Sequence, residues 1–104
     1  MQTFPKKQKT LFQAIRSGDL AAVSKCLKHP DVTVDTTCIN HACDAVNPKV
    51  LRCLLDNCKK ESVDTSWAHT ILQMNIDRAG NSVFIEECTE MKKMLVGWEK
   101  QSEE

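Results

Sequence analysis

The cluster Cys38-x-x-His41-x-Cys43 is the part of this chain with the clearest capacity for metal chemistry. Zinc takes four nitrogen or sulfur ligands in a tetrahedron. On a helix, Cys38 and His41 at i and i+3 share a face. Cys43 lies well round the helix from Cys38, and the fourth ligand has to come from Cys53, Cys58 or His69. These residues define one functional class: a small metal-binding or redox-responsive domain using Cys38, His41, Cys43 and Cys53. The competing reading is that Cys43, and in part Cys53, pack as small hydrophobes.

Nucleophilic catalysis needs a low-pKa thiolate beside a base. No motif here pairs a Cys with a His. Cys26, Cys43 and Cys88 sit in apolar stripes, which favour an inert thiol. Glu86-Glu87 is the one adjacent carboxylate pair in a helical pattern, but neighbours on a helix point apart, so the pair reads as a solvated face. The chain has no Gly-rich phosphate loop, no His-Glu-x-x-His and no nucleophile elbow. The expectation is a protein that is not an enzyme and uses no cofactor.

A chain of 104 residues makes one small domain with a thin core. Hydrophobic residues at 41% and only three Gly and three Pro exclude disorder for the bulk of it. Five aromatics without any Tyr argue against a surface that stacks nucleic-acid bases. Net charge is zero, but residues 1–52 hold eight Lys/Arg against four Asp/Glu, and residues 53–104 hold six against ten. Chance in a short chain explains this, and the sharper reading is a dipolar molecule. Neither half is basic enough to imply nonspecific DNA binding. No apolar run is long enough for a membrane span. Met1 to Lys9 lacks the apolar core of a secretory signal. The expected setting is therefore cytoplasmic and reducing, with six free cysteines.

Residues 1–8 read as a loose arm, 9–99 as one helical domain and 100–104 as a polar acidic tail. Leu11 and Ile15, then Leu20, Val23 and Leu27, mark two short helices with a Gly18-Asp19 turn between them. Asp19 is placed to cap the second helix, and Pro30 stops it. Val32-Thr33-Val34 follows as an extended connector. Thr36 or Thr37 caps the next helix, whose face is Ile39, Ala42 and Cys43. Asn47-Pro48 opens another with the stripe Val50, Leu51, Leu54, Leu55. A third cycle opens near Ser66, where Trp67, Ile71, Leu72 and Ile76 form a helix face. Ala79-Gly80-Asn81 turns into a long seam of Phe84, Cys88, Met91, Leu95 and Trp98, with Gly97 expected to fray the end.

The pattern recurs. A shift of 28 takes Ala14-Ile15 to Ala42-Cys43 and Ala22-Val23 to Val50-Leu51, and a shift of 33 takes Thr37-Cys38-Ile39 to Thr70-Ile71-Leu72. One hairpin cannot cover its own apolar face, and three stacked hairpins share a core. The fold class is thus all-α, three helix-turn-helix hairpins.

The phrase Ala14-Ile15-Arg16-Ser17-Gly18-Asp19-Leu20 carries a family likeness, as do Thr37 to Cys43 with Val50 to Leu55. The chain resembles ankyrin repeats, whose pattern runs Thr-Pro-Leu-His-x-Ala-Ala, two variable residues, Gly, then an apolar second helix. The likeness covers residues 9–58 well and 66–98 weakly. The opening Pro and His are missing throughout, and Val46 stands where the turn Gly falls. The resemblance implies a short ankyrin-like solenoid that binds another protein on its concave face. It places partner-contacting positions at Gln13, Arg16, Ser17, His41, Asp44, Met74, Asp77 and Arg78, with the connectors 29–36 and 59–65 as fingers. A monomeric adaptor that takes neither nucleic acid nor membrane is expected. The stripe Met91, Met94, Leu95 and Trp98 either caps the stack or exposes Trp98 to a partner. The acidic tail reads as a solvated end. Glu-rich ends also resemble translocation signals of bacterial effectors, among which ankyrin-like modules are common.

Overall fold

A computed structural model describes residues 6–101 as six α-helices and one short 3-10 turn. The helices are α1 (Lys6–Ser17), α2 (Leu20–Leu27), α3 (Thr36–Ala45), α4 (Pro48–Asp56), α5 (Ser66–Arg78) and α6 (Ser82–Lys100). The 3-10 turn is Lys60–Ser62. The described residues contain no strand, so Val32-Thr33-Val34 is extended chain without a partner strand.

Short polar side chains set most of the helix starts. The side chains of Asp19, Asp35, Asn47 and Asn81 accept from the amides of Ala22, Cys38, Val50 and Phe84 respectively. Each satisfies an amide that the helix itself leaves unpaired. The cap of α3 is therefore Asp35 rather than Thr36 or Thr37. Asp35 precedes the helix in an extended conformation, and its carboxylate reaches Cys38 N at 3.1 Å. Pro48 occupies the first turn of α4, where its missing N–H costs nothing.

The turns after α1 and α3 share one geometry. Gly18 N donates to Ile15 O and Asp19 N to Ala14 O, and Val46 N donates to Cys43 O and Asn47 N to Ala42 O. This is a left-handed helix stop, with Gly18 at φ 74° and Val46 at φ 52°. Glycine adopts that conformation freely, whereas valine is strained in it. The sequence shift of 28 is thus also a structural repeat. The turn from α5 to α6 is built differently, with Ala79 extended at φ −69°.

In the packing, α1 lies against α2 and α3, α3 against α4 and α5, and α5 against α6, while α4 touches α2 and α6. Two rows result, α1–α3–α5 and α2–α4–α6. One continuous core fills the space between them, with Leu11, Ile15, Ile39, Leu51, Leu54, Leu72, Met91 and Leu95 fully buried. Such a shared core offsets the thin interior of each hairpin, at about 1.5–3 kcal/mol per buried large aliphatic side chain.

Three further expectations are corrected. First, α1 begins at Lys6, so residues 6–8 are helical rather than part of an arm. Gln8 is the reason, because its side chain is 3% exposed and clamps the connector. Its Nε2 donates to Thr33 O at 2.8 Å and its Oε1 accepts from Thr33 N at 3.0 Å. Second, Gly97 does not end α6, which continues through Lys100. Third, Trp67 is not core. The rest of the arm (1–5) and of the tail (102–104) lies outside the described residues. No helix among the described residues is long and apolar enough to cross a membrane.

Candidate functional site

The buried stripe of α5 runs through Ala68, Ile71 and Leu72. Trp67 stands at the edge of that stripe and is 54% exposed. Trp67, Ile71, Met74 and Arg78 follow one another at helical spacing, so they form a single flank of α5. On the neighbouring α3, His41 and Asp44 at i and i+3 present the facing flank. The two flanks enclose a groove of about 280 Å³ that also includes Asn40 and Asn75.

Four of the eight expected contact residues therefore meet in one place: His41, Asp44, Met74 and Arg78. The other four do not line this groove. Gln13, Arg16 and Ser17 are exposed on α1, the next helix along the same row. Phe12, beside them, packs its ring against His41 at 5.6 Å between centroids and 57° tilt, which fixes the imidazole at the groove edge. Asp77 is exposed on α5 outside the groove lining, and its carboxylate accepts from Gln73 Nε2 at 3.0 Å.

A hydrogen bond ties the two walls of the groove together. Asn75 Nδ2 donates to Cys43 O at 3.4 Å across the α3–α5 contact. Asn40 Oδ1 is buried without a hydrogen-bond partner among the described residues. The chemistry on offer is recognition: an apolar floor from Trp67, Ile71 and Met74, with opposite charges at Asp44 and Arg78. The lining holds no thiol and no hydroxyl.

The proposed zinc ligands do not converge. Among the described residues, no three of His, Cys, Asp or Glu are grouped to hold a metal ion. Cys38 points into the core, where its Sγ donates to Thr33 O at 3.8 Å. Cys43 is also fully buried, whereas His41 faces the groove. Cys53, on α4, lies 3.7 Å from Ser24 Oγ on α2. The i, i+3 relation of Cys38 and His41 thus spans the boundary between core and surface. Burial pushes the thiols of Cys38 and Cys43 up to about 12, which disfavours the free thiolate.

Trp98 resolves the terminal-helix alternative in favour of packing. It is 9% exposed and lies beneath Lys60, whose ammonium sits 4.9 Å from the ring centroid. Beside it, Glu99 joins α6 to the start of α5. Its Oε2 accepts from Thr65 Oγ1 at 2.5 Å and from His69 Nε2 at 2.8 Å. Burial alone raises the Glu99 carboxyl, but the Thr65 and His69 hydrogen bonds and the His69 and Lys60 charges outweigh it and hold the carboxyl below its ordinary value.

The sequence reading missed Trp67 because a Trp at helical spacing from Ile71 looks like core. Its offset by one residue from Ala68, the small buried residue of the first turn, is the signal that separates them. Comparison of the chain with protein-family models, with curated proteins and with solved structures finds no match.

Proposed function

We propose that the protein is a non-catalytic interaction module that binds a partner protein in the groove between α3 and α5. The observation that carries this reading is Trp67, more than half exposed on a rigid helix and flanked by Met74 and Arg78. Trp and Arg dominate binding hot spots, because they bury large areas and hydrogen-bond at their tips. Met adapts to irregular partner surfaces. A site carried on helices costs little ordering on association.

An ankyrin-like solenoid is the architecture this reading favours. Its support is the ladder of α1–α3–α5 against α2–α4–α6 and the repeated helix stop at Gly18 and Val46. Connectors also meet between successive units, as where Asp64 N donates to Thr36 Oγ1 at 2.9 Å. In such an arrangement the first row supplies the binding face, with Gln13, Arg16 and Ser17 extending it along α1.

The test is affinity for a partner identified by capture and then purified. Trp67→Ala, with helical content and melting temperature checked, is expected to weaken binding by about 2 kcal/mol or more, as hot-spot residues do. His41→Ala with Asp44→Ala is expected to weaken it further. Unchanged affinity in the folded variants would place the interface elsewhere.

A further inference from the structure

We infer that a second groove, between α5 and α6, docks an acidic helical segment of a partner protein. This groove is separate from the one containing Trp67, and the inference does not depend on that site. It has a volume of about 600 Å³, with Ile76 and Val96 contributing its apolar lining. Val96 is 40% exposed and stands outside the core.

Lys92, Lys93 and Lys100 line the same groove. Among the described residues, none of the three lies in an ion pair with a carboxylate. Lys92 Nζ instead donates to the neutral Gln73 Oε1 at 2.6 Å. Asp77 approaches only through that same amide, by accepting from Gln73 Nε2. Three ammonium groups beside an apolar surface, none of them in an ion pair among the described residues, present a field that an Asp- or Glu-bearing segment complements.

Gly97 supplies an independent indication. It lies inside α6, and glycine is the poorest helix former after proline. Its φ is not positive, and a Cβ built there meets nothing within 4 Å. Nothing among the described residues therefore requires a glycine at this position. A bare position on the groove face lets a crossing helix approach closely, because the side chains at a helix crossing set how closely the axes approach. The groove face of α6 repeats from Thr89 to Lys100, about 16 Å of helix axis at 1.5 Å per residue. That length suits a partner helix of about three turns.

Other occupants fit less well. No aromatic side chain lines the groove to stack a base. A second copy stacking end to end would meet the groove beside α2, whose lining includes Lys25 and Lys28, and would set like charges together.

The experiment is selection of a displayed library of helical peptides, each about four turns long, on the wild-type protein. Gly97→Trp serves as counter-selection, because it fills the groove. Enriched peptides are expected to carry an apolar i, i+3 or i+4, i+7 stripe flanked by Asp and Glu. An enriched peptide is then titrated against the purified proteins. Its affinity is expected to fall about tenfold or more in Lys93→Glu/Lys100→Glu, to fall with added salt, and to persist in Trp67→Ala. The double Lys variant, on exposed or half-exposed side chains, keeps the test intact if Gly97→Trp unfolds. Four results would overturn the inference. The first is no enrichment, and the second is enrichment of neutral or basic peptides. The third is equal binding to folded Gly97→Trp. The fourth is groove-dependent binding to phosphatidylserine vesicles, or a dimer abolished by Gly97→Trp, in place of peptide binding.

Discussion

Replacing Gly18 by alanine tests whether the first two hairpins are locked together at their turns. Gly18 sits at φ 74°, and a Cβ there comes within 2.9 Å of Asn47 Nδ2. The same Asn47 caps α4 through its Oδ1, which accepts from Val50 N at 3.1 Å. Two effects therefore combine. Left-handed backbone costs an alanine about 1–2 kcal/mol, partly offset by about 0.4–1 kcal/mol from a less flexible unfolded chain. Pushing Asn47 aside removes a helix cap, at about 1 kcal/mol. The expected loss in Gly18→Ala is about 2 kcal/mol. Asn47→Ala alone is expected to cost about 1 kcal/mol. In that background the cap is already gone, so Gly18→Ala should cost only the backbone strain. The two substitutions should then fall short of additivity by about 1 kcal/mol. Urea unfolding followed by circular dichroism at constant m-value reads all four corners of the cycle. Additivity within about 0.3 kcal/mol would refute the contact between the turns.

Gln8→Leu removes both hydrogen bonds to Thr33 and should destabilise the fold by about 1–3 kcal/mol, measured in the same assay. Glu99 should make stability fall in acid. Its carboxyl is held below the ordinary 4.5, so the stabilisation is present above that pH and is lost as the pH falls through the lowered value. Glu99→Gln should flatten this limb, and an unchanged acid profile would remove Glu99 from its cause. Thiol alkylation at mildly alkaline pH should label half-exposed Cys53 well before Cys38 and Cys43, which peptide mass spectrometry reads. Fast labelling of Cys38 in the folded protein would contradict its burial.

Much of the local structure was legible in the sequence because it is short-range. Asp19, Asn47 and Pro48 mark helix starts through groups within four residues of one another. The seam Cys88, Met91, Leu95 and Trp98 announces a long buried helix by spacing alone. The shift of 28 identified two hairpins with the same stop, although its second copy places a valine where glycine is the easier residue. The candidate groove was legible in part. His41, Asp44, Met74 and Arg78 follow from the repeat pattern, whereas helical spacing groups Trp67 with the buried Ile71 and Leu72 and does not mark it as exposed.

What escaped the sequence depends on which face of a helix a neighbour covers. Helical spacing sets the angle between side chains on one helix but leaves open where the next helix lies. Cys38 and His41 look like joint ligands until α1 and the 29–36 connector cover the side of α3 that carries Cys38. Gln8 looks like part of a polar arm until Thr33, 25 residues away, takes both ends of its amide. The sequence by itself determined that the chain is helical, where α2 and α4 start, and that its hairpins need one another to bury their apolar faces. Only the tertiary structure decided that Trp98 is buried, that Trp67 is exposed, and that two grooves of different charge flank α5. Those outcomes depend on packing between residues far apart in the chain, which local propensity does not encode.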